Sequence, residues 1–294
     1  GGEDITPGLS KIAEDGVLFS RCYSNSFRTD RCLVSLLTGW LGLPTASLMK
    51  MPDKYIKLPG LAQSLMVENY STDFWYGGDI SFTNTGGFVR DNGFEKIISD
   101  KDFDYKEKNY SKWGVADEVL FDKLIDNLIN EKAKQDKPWF STVLTLSSHE
   151  PWEVPFNKFE NEIQNAFAYT DSVIYNFIEK IKQTDIWNNT LVIITSDHGY
   201  ILDESSTKKE EELIHIPLVL TGGALKNKGV KFDKIMNQSD IAATILAQLG
   251  LSSEEYIFSR NVLSKDYNYP TAINSSSITV SFIDSTGITV NDFV

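Results

Sequence analysis

The chain has 294 residues, 41% of them hydrophobic and 12% aromatic, so it can bury a full core and is not a disordered tract. It carries 28 Lys and Arg against 41 Asp and Glu, a net charge of −13, which argues against nucleic acid as a partner. An anionic substrate would therefore need a local positive site, such as a metal ion.

Two cysteines, Cys22 and Cys32, are too few for a disulfide framework and too far apart for a CxxC site, and read as small buried apolar residues. No apolar run is long enough for a membrane span, and no signal peptide stands at the start. The opening Gly1-Gly2-Glu3-Asp4, without an initiator Met, reads as a trimmed start, with any membrane anchor expected upstream.

Taken in chain order, strand-like and helix-like segments alternate, the pattern of an α/β domain with a largely parallel central sheet and helices on both faces. Thr6-Pro7 opens a short helix that ends at Gly16, with Thr6 able to cap it. Val17 to Tyr23 alternates like a strand, and helices are expected over Thr29 to Leu37 and Pro59 to Glu68. Asp73 to Tyr76 reads as a strand stopping at Gly77-Gly78. Between Trp113 and Glu131, Val115, Val119, Leu124 and Leu128 recur at helical spacing, as on a helix that covers a sheet.

Phe140 to Leu146 reads as a strand running into Ser147-Ser148-His149-Glu150-Pro151, and Ile163 to Ile181 as a helix. Leu191 to Thr195 has the composition of a strand buried on both faces and ends at Ser196-Asp197-His198-Gly199. Ile216 to Leu220 is another strand, and Ser239 to Leu249 a helix closed by Gly250. The runs Ser276 to Ile283 and Ile288 to Val290, split by Ser285-Thr286-Gly287, suggest a terminal hairpin. Residues 1–265 are thus expected to form the main domain, and residues 266–294 a small antiparallel extension of it.

Ligands of open α/β sheets bind outside the carboxyl ends of the strands. Of the three histidines, His149 and His198 each directly follow an expected strand and His215 directly precedes one. Asp197-His198 can bind a divalent cation through carboxylate and imidazole, or can simply cap a turn and bond the backbone. His149 can donate to a phosphoryl or sulfuryl oxygen, or protonate a leaving group, or be a satisfied turn histidine. Thr29 stands at a helix start, where free N–H groups favour anions; its hydroxyl is either a metal-activated nucleophile or an N-cap.

In this order, these segments resemble the alkaline phosphatase/sulfatase superfamily. Thr6 to Phe19 is similar to the family's "TPNLDKLAEEGV.F" opening, Phe27-Arg28-Thr29 to its nucleophile segment, Ser147 to Trp152 to "SSHEPF", and Ser196 to Gly199 to "SDHG". His215-Ile216-Pro217-Leu218 and Gln238 to Leu246 are similar to the late "HIPL" and "S..D..PTIL" patterns, so that the resemblance runs from residue 5 to about 265. Cys32, followed by Leu33-Val34-Ser35, does not fit the sulfatase C/S-x-P-x-R motif. Arg28-Thr29 and Tyr76 to Asn84, similar to "YGGD..F.N", instead resemble the branch with an unmodified Thr, the lipoteichoic acid synthase and osmoregulated glucan phosphoglycerol transferase group.

What the resemblance implies is a Thr29 nucleophile and one divalent ion, Mn or Zn with Mg or Ca as alternatives, held by Thr29, Asp197 and His198. It further implies His149 as a catalytic and substrate-binding residue, with Arg28, Asp79, Asn84 and His215 as further substrate contacts. The expected reaction moves a phosphoglycerol-type group from a lipid or glycan phosphodiester to a glycan or glycolipid hydroxyl. The expected location is extracytoplasmic, tethered to the membrane through an upstream anchor. A sulfatase or phosphodiesterase hydrolase, and a non-catalytic binding domain that lost its metal, are the alternatives. The family's first metal ligand, a Glu ending a strand upstream of the opening segment, has no counterpart ahead of Thr6, so that strand is expected outside these residues. Thr83 and Thr85 also stand where the synthases have Trp and Arg in "FWNR".

Overall fold

Phe74 and Trp75 are neighbours in sequence and both are wholly buried, yet they belong to different apolar layers. The pleat of a strand sends successive side chains to opposite faces, so a strand covered on both sides needs apolar residues at consecutive positions. This is the arrangement of the central part of the chain, where helices lie on either side of the sheets. The computed structural model describes residues 4–104, 111–202 and 209–293.

In chain order the strands are β1 (Val17–Phe19), β2 (Cys22–Tyr23), β3 (Ser71–Tyr76), β4 (Lys96–Ile98), β5 (Trp139–Leu144), β6 (Val192–Thr195), β7 (His215–Ile216), β8 (Leu218–Thr221), β9 (Val230–Phe232), β10 (Met236–Asn237), β11 (Ala272–Ser275), β12 (Thr279–Asp284) and β13 (Gly287–Asp292). A parallel sheet runs β4-β3-β5. A second sheet runs β6-β8-β1-β9, with β8 antiparallel to both its neighbours and β9 parallel to β1. Two small sheets, β10-β2-β7 and the antiparallel β11-β12-β13, complete the described residues.

One layer is shared by both larger sheets. Ile12 of the helix Pro7–Glu14, Leu120 and Leu124 of Asp117–Asn130, and Phe177 and Ile181 of Glu162–Lys182 pack there against Trp75, Val143, Val192 and Val219. On the opposite face of the parallel sheet, Leu33, Val34 and Leu37 of the helix Thr29–Thr38 and Phe88 and Val89 of Thr85–Asp91 pack against Phe74 and Tyr76. Ile241 and Ile245 of the helix Asp240–Gln248 cover Phe19, Leu218 and Leu220.

Several expected elements change at their ends. The Val17 to Tyr23 strand is two strands in different sheets, broken at Ser20, whose amide turns to Phe232 O. Pro217, which has no N–H for a ladder, separates β7 from β8. Thr6 is the residue before the first helix but makes no side-chain capping bond; the distant Asp171 carboxylate instead accepts from Gly8 N and Leu9 N at 2.8 and 2.7 Å. Cys22 and Cys32 are buried free thiols, and burial pushes both well above the usual thiol range.

A further departure concerns the exposure of β6. Its four residues, and the six of β5, are only partly buried, whereas β3 and β8 are buried throughout. Leu191 to Thr195 is covered on both faces as expected, Val192 and Ile194 packing into one apolar layer and Leu191 and Ile193 into another, but its residues stay partly exposed. Among the described residues β6 pairs only with β8 and β5 only with β3, so each keeps one free edge. The turns that follow the two strands are neighbours, because Trp152 and Tyr200 meet edge to face with centroids 5.1 Å apart. Among the described residues no helix is long and apolar enough to cross a membrane.

Candidate active site

Thr29 is the first residue of its helix and Arg28 the residue before it, and neither makes a side-chain capping bond. The Thr29 hydroxyl, free of that duty, donates to Asp197 Oδ2 at 2.6 Å. The N-cap alternative is thus excluded by geometry: this hydroxyl is spent across the fold and not on its own helix.

Asp197 and His198 follow β6. Asp197 Oδ1 accepts from His198 N at 2.9 Å, the turn bond expected of such a residue, while Oδ2 faces both Thr29 and His198 Nε2, the latter at 3.5 Å. His198 Nδ1 lies 2.9 Å from Gly199 O. A carbonyl only accepts, so Nδ1 carries a proton and Nε2 is the ring nitrogen that faces the carboxylate. The next residue must be small: a Cβ at Gly199 would lie 2.3 Å from Glu212 O.

A hydroxyl, a carboxylate and an imidazole thus meet at the carboxyl end of β6. This donor set fits a divalent cation that accepts mixed oxygen and nitrogen ligands. Among the described residues no cluster of three or more His, Cys, Asp or Glu accompanies it, so further positions would fall to water, substrate or another ligand.

His149 is exposed in the turn after β5. Its Nδ1 lies 2.9 Å from Glu150 O, which by the same argument leaves Nε2 outward, and its ring meets Trp113 edge-on at 5.4 Å. The Trp113 indole N–H donates to Glu150 O, bracing the turn from outside. From inside, the buried Asp117 carboxylate accepts from Leu146 N at 2.8 Å, Ser147 N at 3.1 Å and Thr170 Oγ1 at 2.9 Å, and Asp117 N donates to Ser147 Oγ at 3.0 Å. Burial raises the Asp117 carboxyl above its ordinary pKa, against the pull of those hydrogen bonds. Sequence reasoning missed both anchors: it placed Trp113 and Asp117 inside one helix, which in fact begins at Asp117.

The other expected contacts are placed unequally. Arg28, about half exposed, adjoins Thr29 and pairs with Asp30 at 3.2 Å. Asp79 is exposed, and Ser81 N and Oγ, which donate to it at 2.9 and 2.6 Å, hold its carboxyl below the usual range. Asn84 gives its amide to Met49 O at 2.8 Å, and Thr83 and Thr85 direct their hydroxyls toward Met49 Sδ at 3.8 and 3.6 Å. Thr83 and Asn84 both have left-handed backbones, a strained conformation for a β-branched threonine that the Met49 contacts hold in place. His215 Nε2 bonds Ser20 O at 2.9 Å and its ring rests on Tyr23, so it braces β2 against β7.

A layered α/β scaffold with a threonine, an aspartate and a histidine gathered at the carboxyl end of a strand places the chain among enzymes of the alkaline phosphatase superfamily. Residues 1–251 match the Sulfatase family, and the chain belongs to it. It is similar to the lipoteichoic acid synthase of Staphylococcus saprophyticus, with 25% identity over 91% of this chain and 45% of that protein. Lipoteichoic acid synthase 2 of Bacillus subtilis is 24% identical over 90% of this chain and 44% of that protein. The chain thus spans somewhat under half the length of these relatives. Among solved structures, a protein in the alkaline phosphatase superfamily from Vibrio parahaemolyticus superposes with a TM-score of 0.86 and 26% identity, covering 99% of this chain and 72% of that one. A lipoteichoic acid synthase from Listeria monocytogenes gives 0.82 at 17% identity, covering 100% and 82%, a likeness of fold.

Proposed function

We propose that this domain transfers a phosphoglycerol-type group from a lipid phosphodiester to a glycan or glycolipid hydroxyl through a phospho-Thr29 intermediate. The observation that carries this reading is the Thr29 hydroxyl bonded to Asp197 beside His198. The names of the synthase relatives support the substrate class.

In this reading Asp197 orients the Thr29 hydroxyl and takes its proton as Oγ1 attacks phosphorus. The Thr29 oxygen–phosphorus bond forms while the bond to the lipid oxygen breaks, and His149, protonated on Nε2, gives its proton to that leaving oxygen. Neutral His149 then takes the proton of the acceptor hydroxyl as it attacks phospho-Thr29, and the threonine recovers its own from Asp197. Arg28 offers its guanidinium to the phosphate, and Asp79 an acceptor for substrate hydroxyls. Asn84 and His215 act from the scaffold, through Met49 and Ser20. A divalent ion, Mn or Zn, held by Thr29, Asp197 and His198 supplies charge stabilisation and a lowered hydroxyl pKa when bound.

The free edges of β5 and β6 support the expectation of a further strand ahead of Thr6, which would pair with both. Placement outside the cytoplasm, with an upstream membrane tether, belongs to the same proposal.

The test is the metal content and glycerophospholipid head-group release of residues 1–294 beside the chain extended upstream. A single Mn or Zn ion with head-group transfer to an acceptor supports the reading. Release to water alone makes the domain a hydrolase. Absence of metal and turnover in both forms makes it a binding domain.

A further inference from the structure

Among the motifs that the reaction above leaves without a role is the Gln238-Ser239-Asp240 segment. The Gln238 side chain is wholly buried and uses every polar atom it has. Nε2 donates to Ser196 O at 3.1 Å and Asp197 O at 2.7 Å, and Oε1 accepts from Asn25 N at 3.4 Å. The neighbouring Ser239 N donates to Asn25 Oδ1 at 2.9 Å. One carboxamide therefore grips the backbone of the turn that carries Asp197-His198 and the segment that leads into Thr29.

We propose that Gln238 is a positioning residue that sets the separation of Thr29 from Asp197 and His198, and through it the affinity of the site for a divalent cation. The proposal rests on reading these three residues as the cation site. Two carbonyls converge on Gln238 and both can only accept, so the side chain between them must supply two donors while still accepting from Asn25. Glutamate would set lone pairs against both carbonyls. Methionine matches the volume but removes the donors of two partly buried carbonyls and the acceptor of a buried amide. Asparagine keeps the chemistry and falls a methylene short.

Among the described residues the ladder of β6 runs to β8 alone. Among the described residues, Gly199 N donates to Leu213 O at 3.0 Å and the Thr195 hydroxyl to Pro217 O at 2.9 Å, bonds that run to the segment before β8 and not toward Thr29. Gln238 runs to Asn25.

The experiment compares Gln238→Met, Gln238→Asn and Asp197→Ala with the wild-type chain. Three quantities are read: Mn and Zn affinity by isothermal titration, thermal midpoint, and amide hydrogen exchange at residues 196–199 in chelator-treated protein. In folded Gln238→Met, cation affinity falls about 10- to 100-fold, the cost typical of a group that orients a metal ligand, and exchange at residues 196–199 accelerates. Gln238→Asn, which retains the donors, lies between wild type and Gln238→Met, and decides the matter if the methionine variant does not fold. Wild-type affinity and wild-type exchange in either folded variant overturn the proposal. If Asp197→Ala loses the cation while Gln238→Met keeps it, the cation site stands and the Gln238 role fails. If Asp197→Ala binds as tightly as wild type, the site reading fails, and exchange in the metal-free protein alone judges Gln238.

Discussion

Thr29 Oγ1 and Asp197 Oδ2 lie 2.6 Å apart although 168 residues separate them in sequence. The pair joins the first residue of a helix to the end of a strand in the β6-β8-β1-β9 sheet. Free N–H groups of the first helical turn favour negative charge at that point, and the carboxylate fixes the hydroxyl that would carry it. An alkoxide developing on Thr29 would therefore form where the helix end stabilises it, as would a cation if one is held there.

Thr29→Ala should lower phosphodiester turnover by about 1,000-fold or more, since the attacking oxygen is gone. Stability should change by about 1 to 2 kcal/mol, because the part-buried bond to Asp197 is lost although no capping bond is. Steady-state kinetics and thermal melts check the two halves. A melt shifted far beyond this would mean that Thr29 is a scaffold residue.

Chelation should abolish turnover, and added Mn or Zn should restore it. Asp197→Asn and His198→Ala should each weaken retention of the ion, the first more, because it removes the charge facing both other donors. Metal analysis after gel filtration reads this directly. Full occupancy in both variants would place the ion elsewhere.

Asp117→Asn should destabilise the chain by about 2 kcal/mol, since an amide brings N–H groups into a pocket built of donors. Burial holds the folded pKa of Asp117 above its unfolded value, so the native state binds the proton more tightly. Its contribution to stability is therefore complete below the unfolded value and declines as pH rises through the raised one. The gap between wild type and variant should narrow as pH rises above the ordinary aspartate value of about 4 in denaturant titrations. A gap that widens with pH would mean the carboxylate is favoured in the fold.

Ser81→Ala should raise the titration of Asp79 toward the ordinary aspartate value, because the Ser81 hydroxyl is the first of the groups that hold it down. The sign is opposite to that of Asp117: the depressed pKa adds stability above the unfolded value, lost as pH falls through the folded one. Carbon-detected NMR of the Asp79 carboxyl distinguishes a shift from none. An unmoved titration would assign the depression to the Ser81 amide.

Much of this was legible locally. Helical spacing located the helices Asp117–Asn130 and Glu162–Lys182 to within a few residues, and apolar runs located β5, β6 and β8. The positions of His149, Asp197 and His198 directly after strands could be read from the polar residues that end those runs. Periodicity suffices there because it reports which face of a single element is apolar.

Partnership is another matter, since it depends on residues far away in the chain. Nothing near Leu191 shows that, among the described residues, β6 pairs with β8 alone, because edge and central strands can share one composition while only the sheet decides what lies alongside. Nothing near Asn84 shows that its amide is taken by Met49, or near Gln238 that its amide reaches both Asp197 and Asn25. The sequence by itself determined the layered α/β class, the strand-end positions of the polar motifs and the family. Tertiary structure alone decided that the Thr29 hydroxyl serves Asp197 in place of its own helix, because a hydroxyl goes to the strongest acceptor within reach, and reach is set by the packing of the whole chain.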